Sequence, residues 1–517
     1  MIVDYRSDDI PADIRADICL VGAGAAGITM ACALAESGLQ VCLIEGGGFE
    51  LDANVQNLYD GPSIGQQVAN PLACRLRYFG GTTNHWQGWC APLQSSDLRP
   101  RAWVAGGGWP IAPEELDPWF GRARPVCQIR PAGHEQERLP PAPAFDARKL
   151  TTNYWHFSAP TRFGRVYRET LQKAERVTVY LNCNLVGIET NRSASEVSKL
   201  RVRTLDGRTG YVKAKVYVLA SGGLENARML LLANDSLAAG LGNGSGALGR
   251  YFMQHIELNG ARIHCEDGAA LAAAFERKNS FDGSIRAHPA VSLDAQRSLG
   301  LLNCGFSMAI ETDRSPGFEA LSKVTQSVKS GHAPEKFGNK LWTMLTDLDG
   351  VAHGLYDRVL NRSKVTKLEL TVHAEQRPNE ASRVSLTDAR DALGLRKLQV
   401  DWQLTSEDRL SVVRATRLFA EELGRLRIGR LQLPPWLADT EAPWPEHIWS
   451  GCHHMGTTRM SVDPAVGVVN PDLRVHGVAN LYVAGSSVFP SGGYVPPTLT
   501  IVALALRLAD HLRSLHG

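Results

Sequence analysis

The chain has 517 residues, roughly 3.4 times a ~150-residue domain, so two or three domains sharing a large core are expected. Lys plus Arg number 55 and Asp plus Glu 53, a formal net charge of +2, with no run of five like charges; this excludes nucleic acid or a charged membrane surface as the main partner. Hydrophobic residues at 44% and charged residues at 21% give a globular composition and exclude disorder as the dominant state.

No apolar stretch approaches the ~18 residues that a membrane helix needs, so no membrane segment is expected. The opening residues 1–17 are acidic and broken by Pro11, which argues against a signal or transit peptide. Ten cysteines in 517 residues are too sparse for a disulfide scaffold, and none forms a C-x-x-C pair. A reducing, cytoplasmic setting is the plain expectation.

In chain order, Asp17–Val21 reads as a short buried strand. Gly22-Ala23-Gly24-Ala25-Ala26-Gly27 follows at once, then a helix from Ile28 to about Ser37 and a second strand, Val41–Ile44, ending at Glu45. Strand, G-x-G-x-x-G, helix, strand and acid form the dinucleotide-binding fingerprint in its full context. Gly22 permits the tight turn, Gly24 lets backbone approach a pyrophosphate, and Gly27 allows helix and strand to pack closely. The helix N-terminus offers N–H groups and its positive dipole end to phosphate. Glu45, 21 residues after Gly24, is placed to accept hydrogen bonds from ribose hydroxyls. The motif does not itself separate NAD from FAD; its position ahead of more than 450 further residues leans toward FAD.

A glycine and tryptophan cluster, Tyr78-Phe79-Gly80-Gly81-Thr82-Thr83-Asn84-His85-Trp86, comes next, and 131–144 read as a Pro-rich surface loop. Val177–Leu181 looks like a strand. Leu200–Thr204 and Tyr211–Leu219 flank Asp206-Gly207 as the arms of a hairpin, the second running through Ala220-Ser221-Gly222-Gly223 into a helix from Leu224 to about Leu232. Residues 256–345 are mixed and polar, with 311–340 read as mobile. Arg383–Leu386 and Leu398–Trp402 look like strands, and Thr405 with Asp408 like a capping box opening a helix to about Leu423. Cys452-His453-His454-Met455-Gly456-Thr457-Thr458 follows, then a strand and turn over 480–487. A helix closes the chain from Pro497-Thr498 to about Leu512, with proline at a favoured first position.

Taken together, the fingerprint, the Gly80-Gly81 loop, Ser221-Gly222-Gly223, the H-x-x-G-T element from His453 and the last turn and helix resemble the glucose–methanol–choline (GMC) oxidoreductases, FAD enzymes that oxidise alcohols. The matches run through nearly the whole chain in the family's order. The Gly80 to Trp86 stretch is most similar to bacterial gluconate- and fructose-type dehydrogenases and, more distantly, to pyranose oxidases. The resemblance implies an α/β fold: a Rossmann-type FAD domain from separated segments, 1–255 (with excursions about 95–150) and 446–517, and a substrate domain with an antiparallel sheet and helices, 256–445. It places Gly22, Gly24, Ala25, Ala26, Gly27, Glu45, Gly80, Gly81, Thr83, Asn84, His85, Val186, Ala220, Gly485, Ser486, Pro497 and Thr498 against FAD. Asn84 and its loop would sit near flavin N5 and O4, and Pro497-Thr498 at the N1/O2 edge, where helix N–H groups stabilise negative charge.

Within the resemblance His453 is the base, taking a hydroxyl proton while hydride passes to flavin. Histidine suits that work because its pKa lies near working pH. The plainer readings are a structural histidine or half of a His453–His454 metal pair; neighbours at i and i+1 point apart, and no carboxylate or cysteine spacing completes a metal site. His85 matches a histidine that some relatives join covalently to the flavin 8α-methyl, the alternative being an unbonded ring beside the dimethylbenzene edge. The departure is Pro496, 43 residues after His453, where the family carries His or Asn. Proline has neither a side-chain donor nor a backbone N–H. Either Tyr494 or His454 replaces the missing group, or His453 works alone, or the chemistry differs from alcohol oxidation.

The expected activity is thus oxidation of a CH–OH group of a sugar, glycoside or similar alcohol, with a quinone, protein or dye as electron acceptor. The alternatives are a biosynthetic flavoenzyme with non-standard dehydrogenation or lyase- or cyclase-like chemistry, and a non-catalytic flavoprotein. Trp86, Trp89, Trp109 and Trp155 read as core.

Overall fold

Ile18–Val21, Val41–Ile44 and Val216–Leu219 are each four residues long and buried along their whole length. A strand without a polar face is stable only where both faces are covered, which is the situation of a parallel sheet between helices. In the computed structural model the order is Ile2–Asp4, Val177–Leu181, Val41–Ile44, Ile18–Val21, Val216–Leu219 and Leu481–Val483, all pairs parallel. The structure describes residues 1–516 except 67–69, 134, 160, 281–282, 313–314, 330–336, 350, 353–364 and 446–447. One sheet therefore gathers strands from residue 2 to residue 483.

Helices Ala25–Leu34 and Thr498–His516 pack on each other beside this sheet. The second buries Leu499, Val502, Leu504 and Leu508 completely, each such side chain contributing ~1.5–3 kcal/mol over exposure. The first helix begins three residues earlier than expected, because the Ile28 N–H already bonds to the Gly24 carbonyl at 3.0 Å. It also ends earlier, where the Ser37 hydroxyl donates to the Leu34 carbonyl at 2.7 Å.

The expected second hairpin arm is two strands in two sheets. Thr209–Lys213 pairs with Val197–Arg203 in a small four-stranded sheet. Val216–Leu219 then joins the parallel sheet, and the Tyr217 hydroxyl accepts from the Ala214 N–H (2.8 Å) at the switch. Periodicity alone could not show that break.

A larger antiparallel sheet has the order Arg430–Gln432, Ile256–His264, Val365–Ala374, Cys304–Thr312, Gly283–Val291, Leu150–Phe157 and Trp89–Cys90. Its last two strands come from the stretch before residue 255, so the chain visits this sheet before, as well as after, that point. Helix Ser406–Arg425 covers one face, with Phe419 stacked 5.1 Å from Phe306. Its capping box is present: Asp408 N–H donates to the Thr405 hydroxyl at 3.2 Å, and Thr405 N–H donates to the Asp408 carboxylate at 2.7 Å. Of the stretch expected to be mobile, 316–329 and 337–340 are helical; 313–314 and 330–336 lie outside the described residues.

Candidate active site

Between the parallel and antiparallel sheets lies a cavity of about 690 Å³, within the ~300–1,000 Å³ usual for small-molecule and cofactor sites. One end is backbone. Gly22 turns with φ +105, and a Cβ on Gly27 would stand 1.9 Å from the Gly22 carbonyl oxygen, so neither position tolerates a side chain. A Cβ on Gly24 would meet nothing within 4 Å, because that position opens into the cavity. The helix behind it has no side-chain cap and no acid in its first turn. Its orphan N–H groups thus face the cavity as an anion cradle. Glu45 beside it accepts from Ala23 N–H (2.8 Å) through one oxygen and Gly47 N–H (3.0 Å) through the other. Each oxygen keeps a lone pair for a hydroxyl. Gly81 crosses the turn, a Cβ there standing 3.2 Å from the Gly24 Cα.

Most of the residues expected to touch a cofactor line this one cavity: Gly22, Gly24, Ala25, Ala26, Glu45, Gly81, Thr83, His85, Ala220, Gly485, Ser486, Pro497 and Thr498. Four lie outside the lining. Gly27 is packed against the Gly22 backbone and Gly80 against the Asn84 amide and the Gly164 N–H, and strand alternation turns the Val186 side chain away from the face that carries Leu185. The Asn84 amide folds back to donate to the Phe79 carbonyl at 2.9 Å. Trp86, Trp89 and Trp155, expected in the core, also form cavity wall, whereas Trp109 packs on Phe489.

The far end is polar, and much of it was not anticipated. His453 Nδ1 lies 2.8 Å from Nδ1 of His255, a residue at 1% exposure. Burial, then His255, His454 and His373, push His453 down to about 3, with Glu257 opposing. Burial likewise takes His255 down to about 4. His454 diverges: it hydrogen-bonds Cys74, and its carbonyl accepts from the Ser486 hydroxyl at 2.7 Å. The His453 loop is pinned on its other side by strand-like pairing of Trp449 with Glu257 and Met455 with Met253.

The antiparallel sheet supplies the rest. Glu257 carboxylate lies 3.6 Å from His373 Nδ1, and His373 Nε2 lies 2.8 Å from the Ser307 hydroxyl. Burial pushes Glu257 up, but the His373 hydrogen bond and the neighbouring imidazoles outweigh it and hold the carboxyl below its ordinary value. Tyr494 is engaged by His288 (2.8 Å) and by the Asn153 amide (2.9 Å), and His288 stacks on Trp155 at 3.6 Å. His255, immediately ahead of the strand Ile256–His264, and Glu257 within it are two residues apart, the spacing of one face of extended chain. His373 faces Glu257 only through strand register, which no single segment displays.

Beneath the loop, buried Glu225 binds Arg75 at 3.1 Å and Arg228 at 3.3 Å, and Arg228 binds Asp391 at 2.6 Å. Asn226, fully buried, donates to the Ala484 carbonyl (2.9 Å) and accepts from Ser221 N–H (2.8 Å), tying two crossover turns together at the cavity floor. The glycine turn, the uncapped helix start at Ala25, the helix start at Pro497 and Thr498 on the cavity wall, and the Glu45 carboxylate beside them fit a dinucleotide flavin.

A family model described as GMC oxidoreductase matches residues 378–505, and one described as FAD dependent oxidoreductase matches 17–238. The chain is 24% identical to a 2-methyl-1,2-propanediol dehydrogenase of Mycolicibacterium austroafricanum, over 96% of this chain and 95% of that protein. It is 22% identical to a fructose dehydrogenase large subunit of Gluconobacter japonicus over 96% and 97%, and 25% identical to a 6'''-hydroxyparomomycin C oxidase of Streptomyces lividus over 97% and 92%. Among solved structures, a formate oxidase from Aspergillus oryzae superposes with a TM-score of 0.57 at 16% identity, covering 97% of this chain and 99% of that one. A pyridoxine 4-oxidase from Mesorbium loti gives 0.54 at 17%, covering 97% and 100%. Among the described residues no helix is long and apolar enough to cross a membrane.

Proposed function

Because the chain belongs to the glucose–methanol–choline oxidoreductase family and is an FAD-dependent oxidoreductase, we propose that it oxidises a CH–OH group of a sugar, glycoside or similar alcohol, with His453 as the base. One observation carries this reading: a buried, neutral imidazole pair closes the cavity at the end opposite the glycine cradle. When bound, FAD supplies the two-electron acceptor for the hydrogen on the substrate carbon.

One proton can occupy the 2.8 Å line between His453 Nδ1 and His255 Nδ1. With that proton on His453, His255 accepts, and His453 Nε2 keeps a lone pair for the substrate hydroxyl. Once His453 has taken the hydroxyl proton, the Glu257 carboxylate favours the resulting cation, the direction in which it already acts. Trp89, Trp155 and Trp449 offer flat apolar wall for a sugar ring. Electrons then leave to a quinone, a protein or a dye.

The histidine pair gives a pH prediction. A base must be neutral to act, so rate falls as pH drops through its pKa. An ordinary histidine near 6.5 would lose about eightfold between pH 7 and 5.5. With His453 down at about 3, flavin reduction by a saturating alcohol should be flat across that interval; an eightfold loss would show an unperturbed base.

His255 also bears on Pro496, which lines the cavity without offering a hydrogen bond. We assign the absent residue's place to His255, since Tyr494 is held by His288 and Asn153 and His454 by Cys74. Pro496→Asn should then change the reduction rate less than about threefold. A tenfold gain would show that the position had been crippled. Pro496 also favours one second reading, flavin chemistry without net redox change, which a product of unchanged mass would identify.

At the other edge, burial pushes His85 down, and its ring hydrogen-bonds the Cys74 backbone, leaving one neutral nitrogen for the cavity. We place the covalent FAD attachment there. Acid precipitation should leave the yellow colour in the pellet for wild type and release it for His85→Ala; release from wild type would refute the bond. The activity itself is tested by presenting sugars, glycosides and simple alcohols anaerobically, identifying those that bleach the flavin band and weighing the product. A mass two hydrogens below the substrate is expected.

A further inference from the structure

Cys74 and Cys452 are 378 residues apart in sequence, yet their Sγ atoms stand 2.7 Å apart in the cavity wall. Cys74 ends the short helix Pro71–Cys74 that leads into the flavin loop, and Cys452 immediately precedes His453. Cys452 holds a left-handed φ of +57 next to Gly451 at +61, so a locally strained turn presents its thiol. A disulfide is 2.03–2.05 Å long, so bonding requires the sulfurs to close by only about 0.7 Å.

We propose that Cys74 and Cys452 are a hydroperoxide-reactive dithiol that closes to a disulfide, joining the flavin loop to the catalytic loop. The two sulfurs are unequal. The hydrogen bond from Cys452 takes the Cys74 thiol down to about 5 against the effect of burial, with His454 and Arg75 adding to the shift, while Cys452 is pushed up. Cys74 is the attacking thiolate and Cys452 the resolving thiol. Cys74 sulfur attacks one peroxide oxygen; the O–O bond breaks, and the departing alkoxide takes a proton to leave as an alcohol. Cys452 sulfur then attacks Cys74 sulfur, forming S–S and breaking S–O, and the hydroxide takes the Cys452 proton and leaves as water. Two thiols and one hydroperoxide give one disulfide, one alcohol and one water, or a second water in place of the alcohol when the oxidant is hydrogen peroxide, with two electrons passing to the peroxide. The bond would fix the residue next to His453 to the chain that enters the flavin loop.

The test uses reduced holoenzyme exposed to equimolar hydrogen peroxide, then denatured in an alkylating agent and mapped by mass spectrometry without reductant. Of ten cysteines, eight should be alkylated, and one cross-linked peptide pair should carry Cys74 and Cys452, two hydrogens lighter and restored by dithiothreitol. In Cys452→Ser, Cys74 should stop at sulfenic acid and be trapped by dimedone; in Cys74→Ser, Cys452 should remain alkylatable. Ten alkylated cysteines in peroxide-treated wild type would overturn the proposal, as would Cys74 oxidised beyond sulfenic acid with Cys452 intact. The wild-type map decides even if a serine variant fails to fold.

Discussion

His453→Ala is expected to purify yellow and to be reduced by its alcohol at least ~10²-fold more slowly than wild type. The separation of binding from rate follows from the layout. The glycine cradle and Glu45 are held by other partners, Gly22 against Ala220 and the Glu45 carboxylate by the Ala23 and Gly47 N–H groups, and are untouched by the change. The loop itself stays fixed, because Met455 pairs with Met253 and Trp449 with Glu257 through backbone alone. What is lost is the group that takes the hydroxyl proton, together with the proton relation to His255 at 2.8 Å. Stopped-flow absorbance under anaerobic conditions measures the rate directly. Equal rates in variant and wild type would remove His453 from the mechanism.

Gly27→Ala is expected to abolish FAD retention, with affinity falling at least ~10²-fold, or to prevent folding. The added Cβ would stand 1.9 Å from the Gly22 carbonyl oxygen and 3.1 Å from its carbon. Both are backbone atoms of the phosphate turn, so no side chain can swing aside. The helix cannot retreat without unpacking from Val41–Ile44, whose Leu43 Cδ1 is 3.4 Å from the same point. Gly24→Ala is the matched control. Its Cβ meets nothing within 4 Å and its φ of −89 suits any residue, so the protein should fold with wild-type stability yet bind FAD more weakly, the methyl entering the cofactor's space. Fluorescence titration with FAD and thermal unfolding of the apoproteins distinguish the two. If Gly27→Ala binds FAD as wild type does, close helix–strand packing does not shape the site.

The parts legible in the sequence were those where one short segment holds the whole physical reason. Gly22 and Gly27 must be glycine because nothing larger fits at the turn and the start of its helix, and Val41–Ile44 must be buried because it has no polar face. Thr405 and Asp408 announced their helix because the capping box is local to four residues. The polar end of the cavity was not legible for the opposite reason. His255 meets His453 across 198 residues, and His373 meets Glu257 only through the register of two antiparallel strands. The split of the 211–219 segment between two sheets is likewise settled by which neighbour each half finds, not by its own pattern. Asn84 shows a further limit: an amide in a cofactor-like loop satisfies its own backbone at Phe79 instead of facing the cavity.

The measurement that bears most directly on this account is the absorbance of the purified protein near 450 nm, followed anaerobically while sugars and alcohols are added one at a time. A flavin band present on purification and bleached by at least one such compound, with the His453→Ala protein keeping the band but losing the bleaching, is the result expected. A colourless protein that takes up no FAD on reconstitution, or a flavin that the same alcohols reduce equally fast with and without His453, would contradict it.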